Sequence, residues 1–234
     1  MIDRDDATDF AKKLAGATNR TVRDYLEEDV VFEEPFSDQL CGRLKETLEG
    51  FETDNIIWQA DVVSAEKGRA RFKARTLTKN KEEPDLGGDI IMVLDVETND
   101  YDIKKGLLVQ AKRLQQGMRI DATEHRRLLV QCNKMLSVTP ASMVFLYGDH
   151  GVHVVPAAAV AQHKGQNLYD IQTYDISILY TDFALCWFGD PRIQATDRAS
   201  LEGLRERFGA EAAIRLIGRG IEYGVDWYDE PFPR

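Results

Sequence analysis

One stretch constrains the fold of this chain more than any other: residues 83–114, in which two apolar runs are separated by a polar loop. The first run follows Gly87-Gly88-Asp89 and continues to Asp95, and the second extends from Gly106 to Arg113. Runs this apolar are typical of interior strands that are covered on both faces of a sheet. The sequence therefore predicts two buried β-strands joined by a loop.

Polar side chains lie within this predicted pair of strands. Successive strand residues point to opposite faces, so Gln110 and Lys112 share one face. A buried amide or ammonium group is costly without a partner, and Asp89, at the start of the preceding strand, is the natural partner for both. A carboxylate, an amide and an ammonium on adjoining strands form the kind of compact polar site that metal-assisted phosphodiester hydrolysis needs. The alternative is that Gln110 and Lys112 are a buried polar pair that fixes the register of the sheet.

The charge of the chain is unevenly distributed. A net charge of −10 argues against a protein that coats nucleic acid unaided. Between residues 104 and 134, however, there are eight basic residues and only two acids, Asp121 and Glu124. The basic residues are Lys104, Lys105, Lys112, Arg113, Arg119, Arg126, Arg127 and Lys134. This basic surplus is able to hold a phosphate backbone, and a solvated helix face explains it equally well.

The remaining pattern predicts an α/β fold with a mixed central sheet flanked by helices. One or two helices are expected over residues 1–29, with Asn19 capping the second if there are two, and another helix is expected from Ser37 as an N-cap to 51. A further helix is expected from Asp121 to the residue before Pro140, with Glu124 completing a capping box. Strands are expected at 56–63, 70–77, 142–147 and 152–155. Beyond Pro156 the pattern favours a short helix at 157–162, a strand at 176–188 and a helical segment at 200–220.

The sequence predicts a single domain, with a core at about 33–156, an N-terminal helical segment at 1–30 and a C-terminal extension at 157–234. Its three cysteines, Cys41, Cys132 and Cys186, form no CxxC pair, which is typical of reduced thiols in the cytoplasm. No apolar run approaches the ~18 residues of a membrane span. The acidic N-terminus does not have the pattern of a secretion signal. We therefore expect a cytoplasmic protein that does not enter membranes.

The pattern Asp89 … Gln110-Ala111-Lys112 resembles the PD-(D/E)xK nuclease superfamily, in the branch where glutamine replaces the second acid. The QAKR run at 110–113 is similar to that of Mrr-like restriction endonucleases. Glu83-x-x-x-Gly87-Gly88-Asp89 resembles the E-x3-G-A-D entrance of bacterial relatives, with Gly88 where alanine is usual. The resemblance covers roughly residues 33–156. It implies a restriction-endonuclease-like core with helical N- and C-terminal additions.

The resemblance also implies roles for single residues. The implied catalytic residues are Asp89, Gln110, Lys112, Glu34 and Glu83, and Asp89, Gln110 and Glu34 would hold Mg²⁺ or Mn²⁺. Asp38 takes the place of Glu34 under a slightly shifted alignment. The implied DNA contacts are Arg113, Arg126, Arg127 and Gln131. Because Gln110 stands where an acid is commoner, either Glu83 or Glu34 restores the missing charge, or the affinity for metal is weak.

The implied function is a metal-dependent endonuclease that cleaves DNA in bacterial restriction or anti-phage defence. One alternative is a catalytically inactive nuclease fold that serves as a binding or scaffold subunit of a defence complex. Another is a nuclease that is active only after a partner or a nucleotide signal assembles it, and a homodimer is also compatible with the resemblance. The sequence contains no GxSxG, HExxH or Walker A motif, so the chemistries that depend on those motifs are not indicated.

Overall fold

The computed structural model describes residues 2–27, 36–64 and 88–221, and these residues form a mixed eight-stranded sheet with helices on both faces. The helices are α1 (Arg4–Glu27), α2 (Phe36–Leu48), α3 (Ala122–Val138), α4 (Ala157–Gln162), α5 (Ile176–Ala184) and α6 (Arg198–Phe208). The strands are β1 (Phe51–Glu52), β2 (Ile56–Ser64), β3 (Ile90–Glu97), β4 (Asp102–Arg113), β5 (Ser142–Gly148), β6 (Gly151–Pro156), β7 (Tyr174–Asp175) and β8 (Ala212–Gly220). The predicted α/β class and mixed sheet are confirmed.

The strands lie in the order β1-β2-β8-β3-β4-β5-β6-β7. β3 is parallel to β8 and β4 is parallel to β5, while the other neighbouring strands are antiparallel. The predicted central hairpin is present as β3 and β4, in a register that places Ile90 opposite Val109. Helix α3 provides the crossover that parallel neighbours such as β4 and β5 require.

Two hydrophobic cores lie on the two faces of the sheet. Helices α1, α2 and α5 cover one face, where the rings of Phe10 and Trp58 stack with their centroids 3.9 Å apart. Helices α3, α4 and α6 cover the other face. Leu128, Cys132 and Met135 recur at helical spacing along the buried side of α3. Coverage on both faces explains why β3, β5 and the segment of β4 from Gly106 to Val109 are apolar almost throughout.

Two of the predicted helix caps are wrong. Asn19 lies in the middle of the continuous helix α1, and its Oδ1 accepts a hydrogen bond from the backbone N–H of Val152 at 3.1 Å. Ser37 lies inside α2, and its hydroxyl donates to Glu211 at 2.9 Å. Each side chain therefore joins its helix to a distant segment instead of capping a helix.

The C-terminal part of the chain also differs from expectation. The strand predicted at 176–188 is wrong, because helix α5 begins there and Asp175 caps it by accepting from the N–H of Ser177 at 2.8 Å. The helical segment predicted at 200–220 is right only as far as α6. After Gly209, which has a φ of 63°, the chain enters β8 in the interior of the sheet. This segment therefore supplies a strand between β2 and β3, not only a helical addition.

The predicted strand at 70–77 lies outside the described residues. Among the helices that the structure does describe, we find none whose length and hydrophobicity would allow it to span a bilayer.

Candidate active site

Asp89 is fixed at the entrance of β3 by its own backbone. Its N–H donates to the carbonyl of Val109 at 2.8 Å, and its carbonyl accepts from Ala212 at 3.1 Å. Its carboxylate Oδ2 accepts from the backbone N–H of Ala111 at 2.8 Å and from the amide Nε2 of Gln110. The structure therefore brings Asp89 and Gln110 together, as the sequence analysis predicted.

Gln110 lies in β4, one position beyond the register pair of Ile90 and Val109, and is only 5% exposed. Its Nε2 donates to Asp89, but its Oε1 is buried and has no hydrogen-bond partner in the part of the chain that the structure describes. A buried carbonyl oxygen without a partner costs free energy, about 1–3 kcal/mol in proteins. A buried polar atom of this kind calls for a partner, and a bound ion is one type of partner.

Lys112 follows two residues later, on the same face of β4. Its ammonium Nζ donates to Oε2 of Glu124 in the first turn of α3, and the two side chains are 23% and 33% exposed. The other oxygen of that carboxylate, Oε1, accepts from Arg127 at 3.1 Å. The hydrogen bond from Lys112, its charge, and then Arg127 lower the pKa of Glu124. Glu124 is therefore an anion at neutral pH.

The prediction that Asp89 pairs with both groups is thus half right. Asp89 accepts from Gln110, but among the described residues the ion pair of Lys112 is with Glu124. Sequence reasoning assigned Glu124 to the helix cap, and the cap at Asp121 is confirmed, because its Oδ1 accepts from the N–H of Thr123 at 2.8 Å and of Glu124 at 3.0 Å. The Glu124 side chain points instead to Lys112.

Gln110 and Lys112 open onto a surface cleft of about 620 Å³ between β4 and α3, which we call the β4–α3 cleft. It is lined by Gln110, Ala111, Lys112, Thr123, Glu124, Arg126, Arg127, Val130 and Gln131. Three of the four predicted DNA-contacting residues, Arg126, Arg127 and Gln131, are in this set. The fourth, Arg113, is exposed at the end of β4 and does not line the cleft. The lining carries three cations and one acid, which gives it a positive charge.

A divalent ion would find oxygen ligands at Asp89 and Gln110. The orphaned Oε1 of Gln110 and the Asp89 carboxylate are the donor types that Mg²⁺ prefers, and Mg²⁺ needs only one or two protein carboxylates because it keeps several waters. A half-turn of the Gln110 amide would present its oxygen toward Asp89. Within residues 2–27, 36–64 and 88–221, no group of three or more His, Cys, Asp or Glu side chains is arranged to hold a metal.

Two of the predicted site residues, Glu34 and Glu83, lie outside the described residues. Asp38, the alternative to Glu34, lies in the first turn of α2. Among the residues that are described, the structure thus brings Gln110 and Lys112 together with two arginines and one glutamine of α3. Asp89 contacts Gln110 but does not line the cleft.

Comparison with known proteins adds no relative. No protein-family model matches the chain, and neither a curated protein nor a solved structure matches it. Any functional assignment therefore depends on the residues of the site and their geometry.

Proposed function

We propose that this protein is a metal-dependent nuclease that hydrolyses the phosphodiester bonds of DNA, built on a restriction-endonuclease-like core. One observation carries the proposal: Gln110 and Lys112 lie on the same face of β4 and open onto a cleft that Arg126 and Arg127 also line. Asp89 is hydrogen-bonded to Gln110 at the edge of this site. An amide, an ammonium and two guanidinium groups that line one cleft, with a carboxylate bonded to the amide, suit a phosphodiester and its counter-ion.

Hydrolysis of a phosphodiester adds water across one P–O ester bond. The water oxygen bonds to phosphorus and loses a proton, the ester bond breaks, and the departing oxygen takes up a proton. Negative charge builds up on the nonbridging oxygens during this step. Lys112 would hold the attacking water or stabilise that charge, because a fixed ammonium in a site partly shielded from solvent interacts strongly with a developing anion.

Asp89 and Gln110 would hold Mg²⁺ or Mn²⁺, which when bound polarises the phosphate and lowers the pKa of coordinated water. The amide of Gln110 brings an oxygen ligand without a negative charge. If neither Glu83 nor Glu34 adds that charge, we expect cleavage to require a higher metal concentration than it would at a site with two acids.

The arginines of α3 would hold the phosphate backbone. Arg127 has a side chain that is 74% exposed, so its guanidinium is accessible to a ligand in the β4–α3 cleft. Contacts of this type position a nucleic acid without reading its sequence. Because the whole chain carries a charge of −10, DNA binding would depend on this local basic surface.

Plasmid cleavage with Mg²⁺ or Mn²⁺ tests the proposal. We expect the wild type to nick or linearise the plasmid, with the activity lost in EDTA, and Lys112→Ala to reduce the rate roughly 100- to 1000-fold. Lys104→Ala is the matched control: Lys104 lies on the same strand, is 21% exposed, pairs with Asp102 and with Asp95 at 4.0 Å, and does not line the cleft. If Lys112→Ala cleaves as fast as the wild type, the catalytic proposal is wrong.

A second candidate is a binding or scaffold subunit that keeps the nuclease fold without the activity. The observation that favours it is the ion pair that occupies Lys112, together with the lack of a three-acid group among the described residues. This candidate predicts that wild-type protein binds DNA or a partner protein but shows no metal-dependent cleavage. A stable complex found by co-purification, with no cleavage by either the complex or the lone chain, would support it.

A further inference from the structure

The partner of Lys112 is Glu124, a residue outside the motif that suggested the site. We propose that Glu124 is a positioning residue, which holds the Lys112 ammonium at the point in the β4–α3 cleft where a phosphate would lie. The inference rests on the proposed nuclease function and adds a residue to it. Three features support this role: the anchoring of Glu124, the contacts of its carboxylate, and the other acids that Lys112 could approach.

Glu124 is anchored at its backbone. Asp121 caps α3, and its carboxylate accepts from the N–H of Glu124 at 3.0 Å, which fixes the first turn of the helix. Met135 and Leu128 hold the buried side of the same helix against the sheet. The Glu124 carboxylate therefore extends from a rigid element toward β4.

Both oxygens of the Glu124 carboxylate are occupied by cations. Oε2 accepts from Lys112, and Oε1 accepts from Arg127 at 3.1 Å. Two partners on opposite oxygens fix the orientation of the carboxylate, and they leave it poorly placed to bind a metal ion. This contact pattern indicates that Glu124 acts through Lys112 and not as a metal ligand.

Lys112 gains a defined position from this contact. An ammonium group has three donors, and Glu124 accepts one of them, which leaves two for a phosphate oxygen and a water. A lysine stem is flexible, so an untethered ammonium would sample many positions. Holding it in one place before the substrate binds reduces the reorganisation that the reaction would otherwise require.

Glu124 also limits which other acids the Lys112 ammonium can approach. Asp89 is next to Gln110 on the neighbouring strand, and Gln110 is two residues from Lys112, a spacing on the order of 7 Å along a strand. Backbone hydrogen bonds from Glu124 and Thr123, and also the charge of Lys112, lower the pKa of Asp121, so a released Lys112 could approach Asp121 as well as Asp89. An ion pair with Asp89 would occupy the carboxylate that the proposed metal needs.

The test is a double-mutant cycle on plasmid cleavage with Lys112→Ala, Glu124→Gln and the double variant. Glu124→Gln keeps the size of the side chain and removes its charge. We expect it to lower kcat roughly 10- to 100-fold, with no change in the Mg²⁺ concentration for half-maximal activity. In the Lys112→Ala background it should have no further effect, because a residue that acts through Lys112 has nothing left to position.

Glu202→Gln is the matched control. Glu202 lies on α6, its side chain is 36% exposed, and it accepts from Arg205 at 2.9 Å in an ion pair far from the cleft in the fold. This variant should cleave like the wild type, and all variants should unfold at similar temperatures. Partial rescue by Glu124→Asp, which restores the charge on a shorter side chain, would support positioning.

Each other result overturns the inference in a recognisable way. Inactive wild type removes the proposed function, and the positioning role with it. Active wild type with inactive Lys112→Ala and unimpaired Glu124→Gln leaves the function standing and rejects the role of Glu124. If Glu124→Gln lowers cleavage equally in the wild-type and Lys112→Ala backgrounds, or raises the Mg²⁺ concentration that cleavage needs, Glu124 would be an independent contributor such as a metal ligand. Faster cleavage by Glu124→Gln would make the ion pair inhibitory.

Discussion

Removal of Arg126 and Arg127, the two arginines of the β4–α3 cleft, should make the salt dependence of DNA binding shallower. Each phosphate contact on duplex DNA contributes about −0.9 to the slope of log K against log salt. Loss of Arg126 and Arg127 removes at most two contacts, or about 1.8 in slope. Arg127 already donates to Glu124 at 3.1 Å, so its contribution is smaller. We expect the slope to become shallower by about 1 to 1.8.

This change has a direct consequence for affinity. The wild type should bind DNA more tightly than Arg126→Ala/Arg127→Ala. The ratio of the two affinities should fall roughly 4- to 12-fold when the salt concentration rises from about 50 to about 200 mM. Fluorescence anisotropy with a short labelled duplex in EDTA measures the affinities without cleavage. The control is Arg198→Ala/Arg207→Ala, which removes the same charge from exposed positions on α6. An unchanged slope, or an equal change in the control, would refute the assignment of the cleft as the DNA-binding surface.

Two further predictions concern stability. Asp190 is buried and accepts from Arg192 and Thr139, each at 2.6 Å, and the hydrogen bond from Arg192 is the main cause of its lowered pKa. Asp190→Asn should cost about 2 kcal/mol at neutral pH. The pKa of Asp190 is lower in the folded state than in the unfolded state. The difference in the free energy of unfolding between wild type and Asp190→Asn, measured with urea, should therefore be constant above the unfolded pKa of about 3.9 and should close as the pH falls below it. A difference that persists in acid would contradict the charge-based explanation. Trp58→Ala, which removes the stacking on Phe10, should cost about 3–5 kcal/mol in the same assay, and a loss below about 1 kcal/mol would contradict the packing assignment.

Much of the central fold could be predicted because its signals are local. The strands expected at 142–147 and 152–155 are β5 and β6, each found within one residue of the expected bounds. The Asp121 cap of α3 was readable for the same reason, since a cap depends on residues two or three positions away. Alternation along β4 was enough to place Gln110 and Lys112 on one face. None of these inferences required knowledge of a distant partner.

Strand β8 could not be recognised in the same way. Arg215 interrupts its apolar pattern, yet the side chain is buried because it pairs with Asp61 on β2 at 3.0 Å. Gly218 is atypical of a strand interior, but a Cβ atom at this position would lie 3.0 Å from Ile56 and 3.1 Å from Trp58. Both residues suit a strand because of what β2 and β3 place beside them: Arg215 also lies 3.8 Å from Asp95, and a Cβ atom at Gly218 would also lie 3.1 Å from Val96. A local pattern contains no information about those neighbours.

The candidate site shows a different limit. The contact between Glu124 and Lys112 was not predicted, because Glu124 already had a sufficient local explanation as the N3 residue of a capping box. The structure shows that Asp121 caps the helix through its own carboxylate and that Glu124 is directed across to Lys112. A capping signature is satisfied by one side chain, which leaves the other available for a tertiary contact. Where a helix follows a strand that carries an unpaired lysine, the acid in its first turn is therefore a candidate partner even when the cap already accounts for it.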